Sequence, residues 1–219
     1  MSATDSEPPS DRTRIRRNPS RAKYDRETIN AILDEGFIGH LGFVIDGQPC
    51  VIPTGYGRVG DELLIHGSSG SRVMRRAGEG IDVCFSVTHV DGIVVARSVF
   101  HQSINYRSVV VLGRAMRVAE AEKLDALAAI SERLTPGSWD AARKPDKKEL
   151  AATSVIRLSL AEASAKVRTG PPADDEEDYA LPIWAGVIPT TFAIGSPVPD
   201  PRNIPGIPTP DFVKNYRRA

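Results

Sequence analysis

Between Leu63 and Arg72 the chain reads Leu-Leu-Ile-His-Gly-Ser-Ser-Gly-Ser-Arg, an apolar strand entering a Gly/Ser loop and then a basic helix start. Glycines let an anion approach the backbone closely, and serine hydroxyls donate hydrogen bonds to it. The first turn of the helix adds unpaired N–H groups and the positive end of its dipole. Arg72 supplies a fork of donors that matches phosphate oxygens, with Arg75 and Arg76 one turn on. Together these residues describe a phosphate cradle. The cradle is neither a Walker loop nor a G-x-G-x-x-G loop, and no G-x-S-x-G supports a hydrolase elbow. On spacing alone, an ordinary Gly/Ser turn capping a helix accounts for it equally well.

Three further segments carry polar or shape-defining residues in unusual places. In Ser103-Ile104-Asn105-Tyr106-Arg107-Ser108-Val109, groups with hydrogen-bonding reach enter an apolar strand that continues to Gly113, either as the rim of a site or as sheet-end bonding. Val51-Ile52-Pro53-Thr54-Gly55-Tyr56-Gly57 puts a proline inside a strand, where it removes a ladder donor, beside glycines that admit close approach. Trp184 stands among apolar neighbours, where simple core packing is the plainer reading. The four histidines, His40, His66, His89 and His101, form no metal-binding spacing, and Cys50 and Cys84 each sit in an apolar run as packing residues.

The elements that must hold these residues are mostly strands. Asp25 caps a short helix whose Ile29, Ile32 and Leu33 share a face, and Gly36 ends it. Phe37–Ile45 and Gln48–Val59 then alternate as strands across Asp46-Gly47, a dipeptide suited to a type I′ turn. Glu62–His66 follows, and Ile81–Val90 is expected to meet Ile93–Ser98 across a second Asp-Gly at Asp91-Gly92. Asn105–Val118, with its near-continuous valines, reads as a strand buried on both faces. The pattern is six closely spaced antiparallel strands. Helices are expected over Arg72–Ala77, over Ala119–Leu134 with Leu124, Leu127, Ala128 and Leu134 inward, and over Asp146–Ala152. A last strand is expected from Val155, extending toward Lys166.

The chain has 219 residues, enough for one sizeable domain without disulfides. Lys plus Arg and Asp plus Glu each number 28, and this balance argues against a duplex nucleic-acid partner. No apolar run reaches the ~20 residues of a membrane span, and no secretory leader is visible, so the expectation is a cytoplasmic protein with no membrane partner. Residues 1–23 read as a flexible basic N-terminal arm, some of whose arginines fold back onto the domain in the alternative reading. Residues 24–190 form the domain, with Asp174, Asp175, Glu176, Glu177 and Asp178 expected as a solvated acidic loop. Residues 191–219 form a Pro-rich extended C-terminal tail that wraps over a surface.

These segments, in this order, resemble the pyridoxamine 5′-phosphate oxidase-like flavin-binding proteins, in the flavin-nucleotide-binding or nitroimidazole-resistance-like branch. The motifs that carry the resemblance are Val51-Ile52-Pro53-Thr54, His66-Gly67-Ser68 with Ser71-Arg72, Asn105-Tyr106-Arg107-Ser108-Val109 with Gly113, and Trp184 to Pro189. It spans about residues 12–190. The resemblance implies a mainly β fold with peripheral helices, a split β-barrel that forms a homodimer with FMN in clefts at the subunit interface. It assigns the flavin phosphate to Ser71 and Arg72, with His66, Gly67 and Ser68 beside it. Pro53, Thr54 and Tyr56 fall along the flavin ring, Tyr106 and Ser108 meet the flavin, and Trp184 becomes a lid. His66 is the candidate proton-exchanging residue, with a phosphate or backbone partner as its plainer role.

The function expected is that of an FMN-dependent oxidoreductase acting on a small molecule. In the oxidase proper an arginine- and histidine-bearing motif follows the C-terminal tryptophan and holds the substrate phosphate. Here Trp184 is followed by Ala-Gly-Val-Ile-Pro-Thr-Thr, so that substrate is not expected. The alternatives are a flavin-binding protein that stores or senses FMN without turnover, the same barrel using haem or F420, and a barrel with an empty site.

Overall fold

A computed structural model describes residues 7–217; the first six residues of the expected arm, and Arg218 and Ala219 of the tail, lie outside the described residues. In chain order the strands are β1 (Ala22–Lys23), β2 (Ile38–Ile45), β3 (Gln48–Gly55), β4 (Gly57–Val59), β5 (Glu62–Ser68), β6 (Ile81–Val95), β7 (Ser103–Arg117), β8 (Thr153–Ser159), β9 (Ala163–Arg168) and β10 (Gly186–Pro189). The α-helices are α1 (Arg26–Glu35), α2 (Arg72–Arg76), α3 (Lys123–Leu134), α4 (Ser138–Ala141), α5 (Lys147–Ala152) and α6 (Asp211–Lys214). The fold is mainly β with peripheral helices. Its hydrogen-bonded path runs β3-β2-β6-β7-β8-β5-β4 without closing on itself; β9 adds to β7, β1 to β9 and β10 to β6. Every strand pair whose register is described is antiparallel.

The chain divides into two units, one of residues 1–36, 85–112 and 161–192 and the other of residues 37–84, 113–160 and 193–219. In the second unit β2 and β3 pair from Ile38↔Gly55 to Ile45↔Gln48. Their turn is the expected one, with Asp46 at φ 52° and Gly47 at φ 76°, the two positive values a type I′ turn needs. β5 lies between β4 and β8, and α3 covers Leu64, Val118 and Val155 with Ala126 and Ile130. Thus α3 turns Ala126 and Ile130 inward with Leu127 and Leu134 alongside, while Leu124, expected inside, is exposed. A Cβ on Gly57 would stand 3.1 Å from the Ile130 Cα, so this glycine sets how closely β4 approaches α3. The Pro-rich stretch is exposed and irregular up to α6, where Phe212 packs on Gly137 and the Tyr216 hydroxyl donates to the Leu134 carbonyl at 2.7 Å.

In the first unit α1 begins as expected, with the Asp25 carboxylate accepting from the Thr28 N–H at 2.8 Å and Ile29, Ile32 and Leu33 buried. Several described arm residues are tied down. Arg12 pairs with Glu162, the Ile15 N–H donates to the Tyr24 hydroxyl, Lys166 donates to the Arg17 carbonyl, and β1 pairs with β9. The arginine that folds back is therefore the alternative the structure shows.

Three expectations are corrected. Asp91-Gly92 is not a hairpin turn: β6 runs unbroken through it for 15 residues. Asp91 instead receives two hydrogen bonds from Arg107, and Gly92 lies under β10, where a Cβ would sit 2.8 Å from the Val187 side chain. The expected Gln48–Val59 strand breaks at Tyr56 into β3 and β4. The last strand divides at Leu160–Glu162 into β8 and β9. With the short β1 and β10, six expected strands become ten.

Candidate functional site

The cradle segment lies wholly in the second unit. β5 ends at Ser68, and the turn beyond is fixed by the Ser69 N–H donating to the Ala152 carbonyl (2.8 Å) and the Ser71 N–H to the Ser68 carbonyl (2.9 Å). The Ser68 hydroxyl accepts from the Gly70 N–H, and the Ser71 hydroxyl caps α2 by accepting from Met74 at 3.4 Å. Val73 and Met74 are consequently buried, while Arg72, Arg75 and Arg76 face outward. A Cβ on Gly67 would come within 3.0 Å of the Met74 side chain, so this glycine lets α2 lie against β5.

Arg76 pairs with Asp46 at 3.0 Å; Arg72 and Arg75 have no carboxylate partner among the described residues. The three arginines line a cleft of about 140 Å³ with Ile45 and Asp46. A wider cleft of about 640 Å³ shares Ile45, Asp46 and Arg76 with it and reaches Glu79, Asp82 and Arg114. Guanidinium groups held at an open cleft without counter-ions are suited to phosphate.

The other expected residues of this unit fall into two groups. His66 and Ser68 are exposed on β5, opposite Val155 and Thr153 of β8. Pro53 is exposed on β3 opposite His40 of β2, at the end of the strand path where a missing ladder donor is tolerated. The half-buried Thr54 donates its hydroxyl to the Gly55 carbonyl at 3.1 Å. Tyr56 belongs elsewhere. It is only 1% exposed, packed as a core side chain.

Tyr106, Ser108 and Trp184 belong to the first unit. Tyr106 stands opposite Arg168 and Ser108 opposite Lys166, where the Ser108 hydroxyl donates to the Lys166 carbonyl at 3.3 Å. Trp184 is 67% exposed ahead of β10, and its indole lies over Gly186, where a Cβ would be 2.9 Å from the ring. Arg107, between the two β7 candidates, is committed to the fold. It bridges Glu35 and Asp91; these hydrogen bonds raise its own pKa, and its bonds to Glu35 hold that carboxyl below the usual range.

The acidic run expected to be solvated is partly buried. The Asp174 carboxylate is fully covered and accepts from the Arg97 and Ser98 N–H groups and the Arg97 guanidinium, which also lies 4.8 Å from the Tyr179 ring centre. Asp175 meets His101 at 3.2 Å. A residue that sequence reasoning missed is Arg168, buried at the end of β9, where Ala-Ser-Ala-Lys-Val-Arg gives no sign that this cation rather than Lys166 is buried. Among the described residues no cluster of histidine, cysteine, aspartate and glutamate could hold a metal ion, and no helix is long and apolar enough to cross a membrane.

Against known proteins, residues 25–167 match the family described as pyridoxamine 5′-phosphate oxidase. The flavocytochrome Anf3 from Azotobacter vinelandii is 46% identical, with 97% of this chain and 100% of that one aligned at a TM-score of 0.92. The FAD and heme binding protein from Mycobacterium smegmatis is 40% identical over 88% of this chain and 95% of its own, with a TM-score of 0.85. A protein assigned to 5-nitroimidazole antibiotic resistance from Bacteroides thetaiotaomicron shares the fold at 18% identity and a TM-score of 0.56, over 67% of this chain and 86% of that one. No curated protein matches the sequence.

Proposed function

The chain belongs to the pyridoxamine 5′-phosphate oxidase family, and on that premise we propose that it is a redox protein binding both a flavin nucleotide and haem. The observation that carries the flavin is the pair of guanidinium groups, Arg72 and Arg75, that line an open cleft without a carboxylate partner among the described residues. Arg72 and Ser71 hold the phosphate, Pro53 and Thr54 present the edge of β3 to the ring, and His66 serves proton exchange or hydrogen bonding nearby. Tyr106, Ser108 and Trp184 enter this reading through the family resemblance.

The M. smegmatis relative favours FAD over FMN, and the wider cleft beyond Arg76 supports the larger nucleotide. Haem is favoured by the same relative and by the flavocytochrome. The histidines are the candidate iron ligands. His40 and His66 are exposed, while His89 Nε2 meets the Ile32 carbonyl and His101 Nε2 meets Asp175, bonds that leave the other nitrogen of each ring able to ligate. When bound, the flavin supplies two-electron chemistry and the haem one-electron chemistry. The protein positions both. Lacking a cation in the stretch Ala185 to Thr191 just after Trp184, it does not act on pyridoxine phosphate; its substrate is another small molecule, and it works as a cytoplasmic homodimer.

The test is direct. Purified protein is expected to show flavin and Soret absorption together, and heat-released flavin is expected to have the mass of FAD. Arg72→Ala is expected to weaken FAD about tenfold or more and leave riboflavin unchanged, since only the nucleotide carries phosphate. Equal losses for both would remove Arg72 from the site. Replacing His40, His66, His89 and His101 in turn is expected to identify the iron ligand by a shift or loss of the Soret band. A spectrum with flavin alone and no turnover would favour the storage reading.

A further inference from the structure

Among the described residues, Arg168 is the one arginine of the first unit's sheet that is both buried and without a carboxylate. It is 7% exposed at the end of β9. Its Nη1 donates to the Asn105 side-chain carbonyl and its Nη2 to the Pro171 carbonyl at 3.4 Å. Its Nε is buried with no partner. Asn105 is itself buried and held in place, its amide donating to the Gly170 carbonyl at 3.0 Å. Neutral oxygens satisfy hydrogen bonds but leave the charge uncompensated, and a desolvated guanidinium without a counter-ion is costly.

A second cation makes the imbalance worse. Ala22 pairs with Lys166 on β9 and Tyr106 on β7 pairs with Arg168, so Arg21 enters the same edge beside Arg168. Arg21 is half-buried and also lacks a carboxylate among the described residues. Burial and the Arg21 charge both push the Arg168 pKa down, and no carboxylate offsets them. Elsewhere in this unit the chain does neutralise such groups, Arg107 with Glu35 and Asp91, and Arg97 with Asp174.

We propose that Arg168, with Asn105 and Arg21 beside it, is an oxyanion-binding site whose missing counter-charge arrives on a bound cofactor, as a haem carboxylate or a flavin phosphate. The planar fork of Arg168 and its unpartnered Nε suit either group. This site is additional to the Arg72 loop. It rests on the flavin-and-haem reading for the source of its anion.

The experiment titrates the full-length chain with haem and with its dimethyl ester, which has no free carboxylates, and with FAD and riboflavin. Arg168→Gln is expected to weaken either haem or FAD by roughly ten- to a hundredfold, as for a hydrogen-bonded charge pair. Binding of the matching neutral analogue is expected to stay unchanged. A loss confined to haem assigns a carboxylate, and a loss confined to FAD assigns a phosphate. Arg21→Gln, at a half-buried strand edge, is expected to move the same ligand less and serves if the first variant fails to fold. Arg168→Met is expected to raise the melting temperature of the cofactor-free protein, because it removes an uncompensated charge; a purely structural arginine would lower it. Variants that bind both cofactors within twofold of the wild type overturn the site. A wild type that takes up neither cofactor overturns the cofactor reading instead, and with it the source of the anion.

Discussion

Arg107 of strand β7 and the arginines Arg72 and Arg75 of α2 are used in opposite ways. On β7, Arg107 is forked between Glu35 of α1 and Asp91 of β6, so the chain supplies its own counter-ions. On α2, Arg72 and Arg75 face an open cleft with none. The difference teaches that an arginine in a family motif is not by itself a ligand residue. What separates structure from site is whether the fold has already neutralised the charge. Arg168 belongs with α2 by this criterion although it sits in a strand.

Breaking the neutralised side should have the largest effect. Arg107→Met removes one partner of two carboxylates and is expected to cost about 2–3 kcal/mol, read from the denaturant midpoint, with flavin stoichiometry of the folded protein unchanged. The pH dependence sharpens the same point. The Glu35 pKa is held below its ordinary 4.5 by the Arg107 hydrogen bonds. A lowered carboxyl adds stability above its unfolded pKa, and that stability is lost as pH falls through the folded value. Stability is therefore expected to decline below about pH 4.5, and Arg107→Met is expected to lose this contribution to the decline. Ser71→Ala, which removes the α2 cap, is expected to cost about 1 kcal/mol in thermal or urea unfolding. Arg72→Ala should leave stability within about 0.5 kcal/mol while flavin affinity falls. A large stability loss at Arg72 would erase the contrast.

Local chemistry was legible in the sequence. The α1 cap at Asp25, the Asp46-Gly47 turn and the Ser71 cap of α2 rest on neighbours within a few residues, and each formed as expected. Readings that depended on distant partners were not legible. Asp91-Gly92 looked like a second turn because its real constraints, Arg107 and β10, come from 16 and about a hundred residues away. The acidic run looked solvated because nothing local reveals that Asp174 closes on the Arg97 and Ser98 backbone. Tyr56 shared a motif with Pro53 and Thr54, but the break between β3 and β4 put it in the core. For Arg168, burial decided its significance, and burial belongs to the folded sheet.

The two Asp-Gly dipeptides also set how the protein ages. An aspartate before glycine closes to a succinimide when its carboxyl carbon can reach the following amide nitrogen, and then reopens largely as isoaspartate. Asp46 occupies an exposed turn with positive φ, whereas Asp91 is pinned by Arg107 inside a paired strand. Stored protein should therefore accumulate the isomer at residue 46 and remain unaltered at 91. Because this conversion leaves the mass unchanged, peptide mapping of old stocks would reveal it where intact mass would not, and the hairpin beside the Arg76 cleft would be the first part of the molecule to drift.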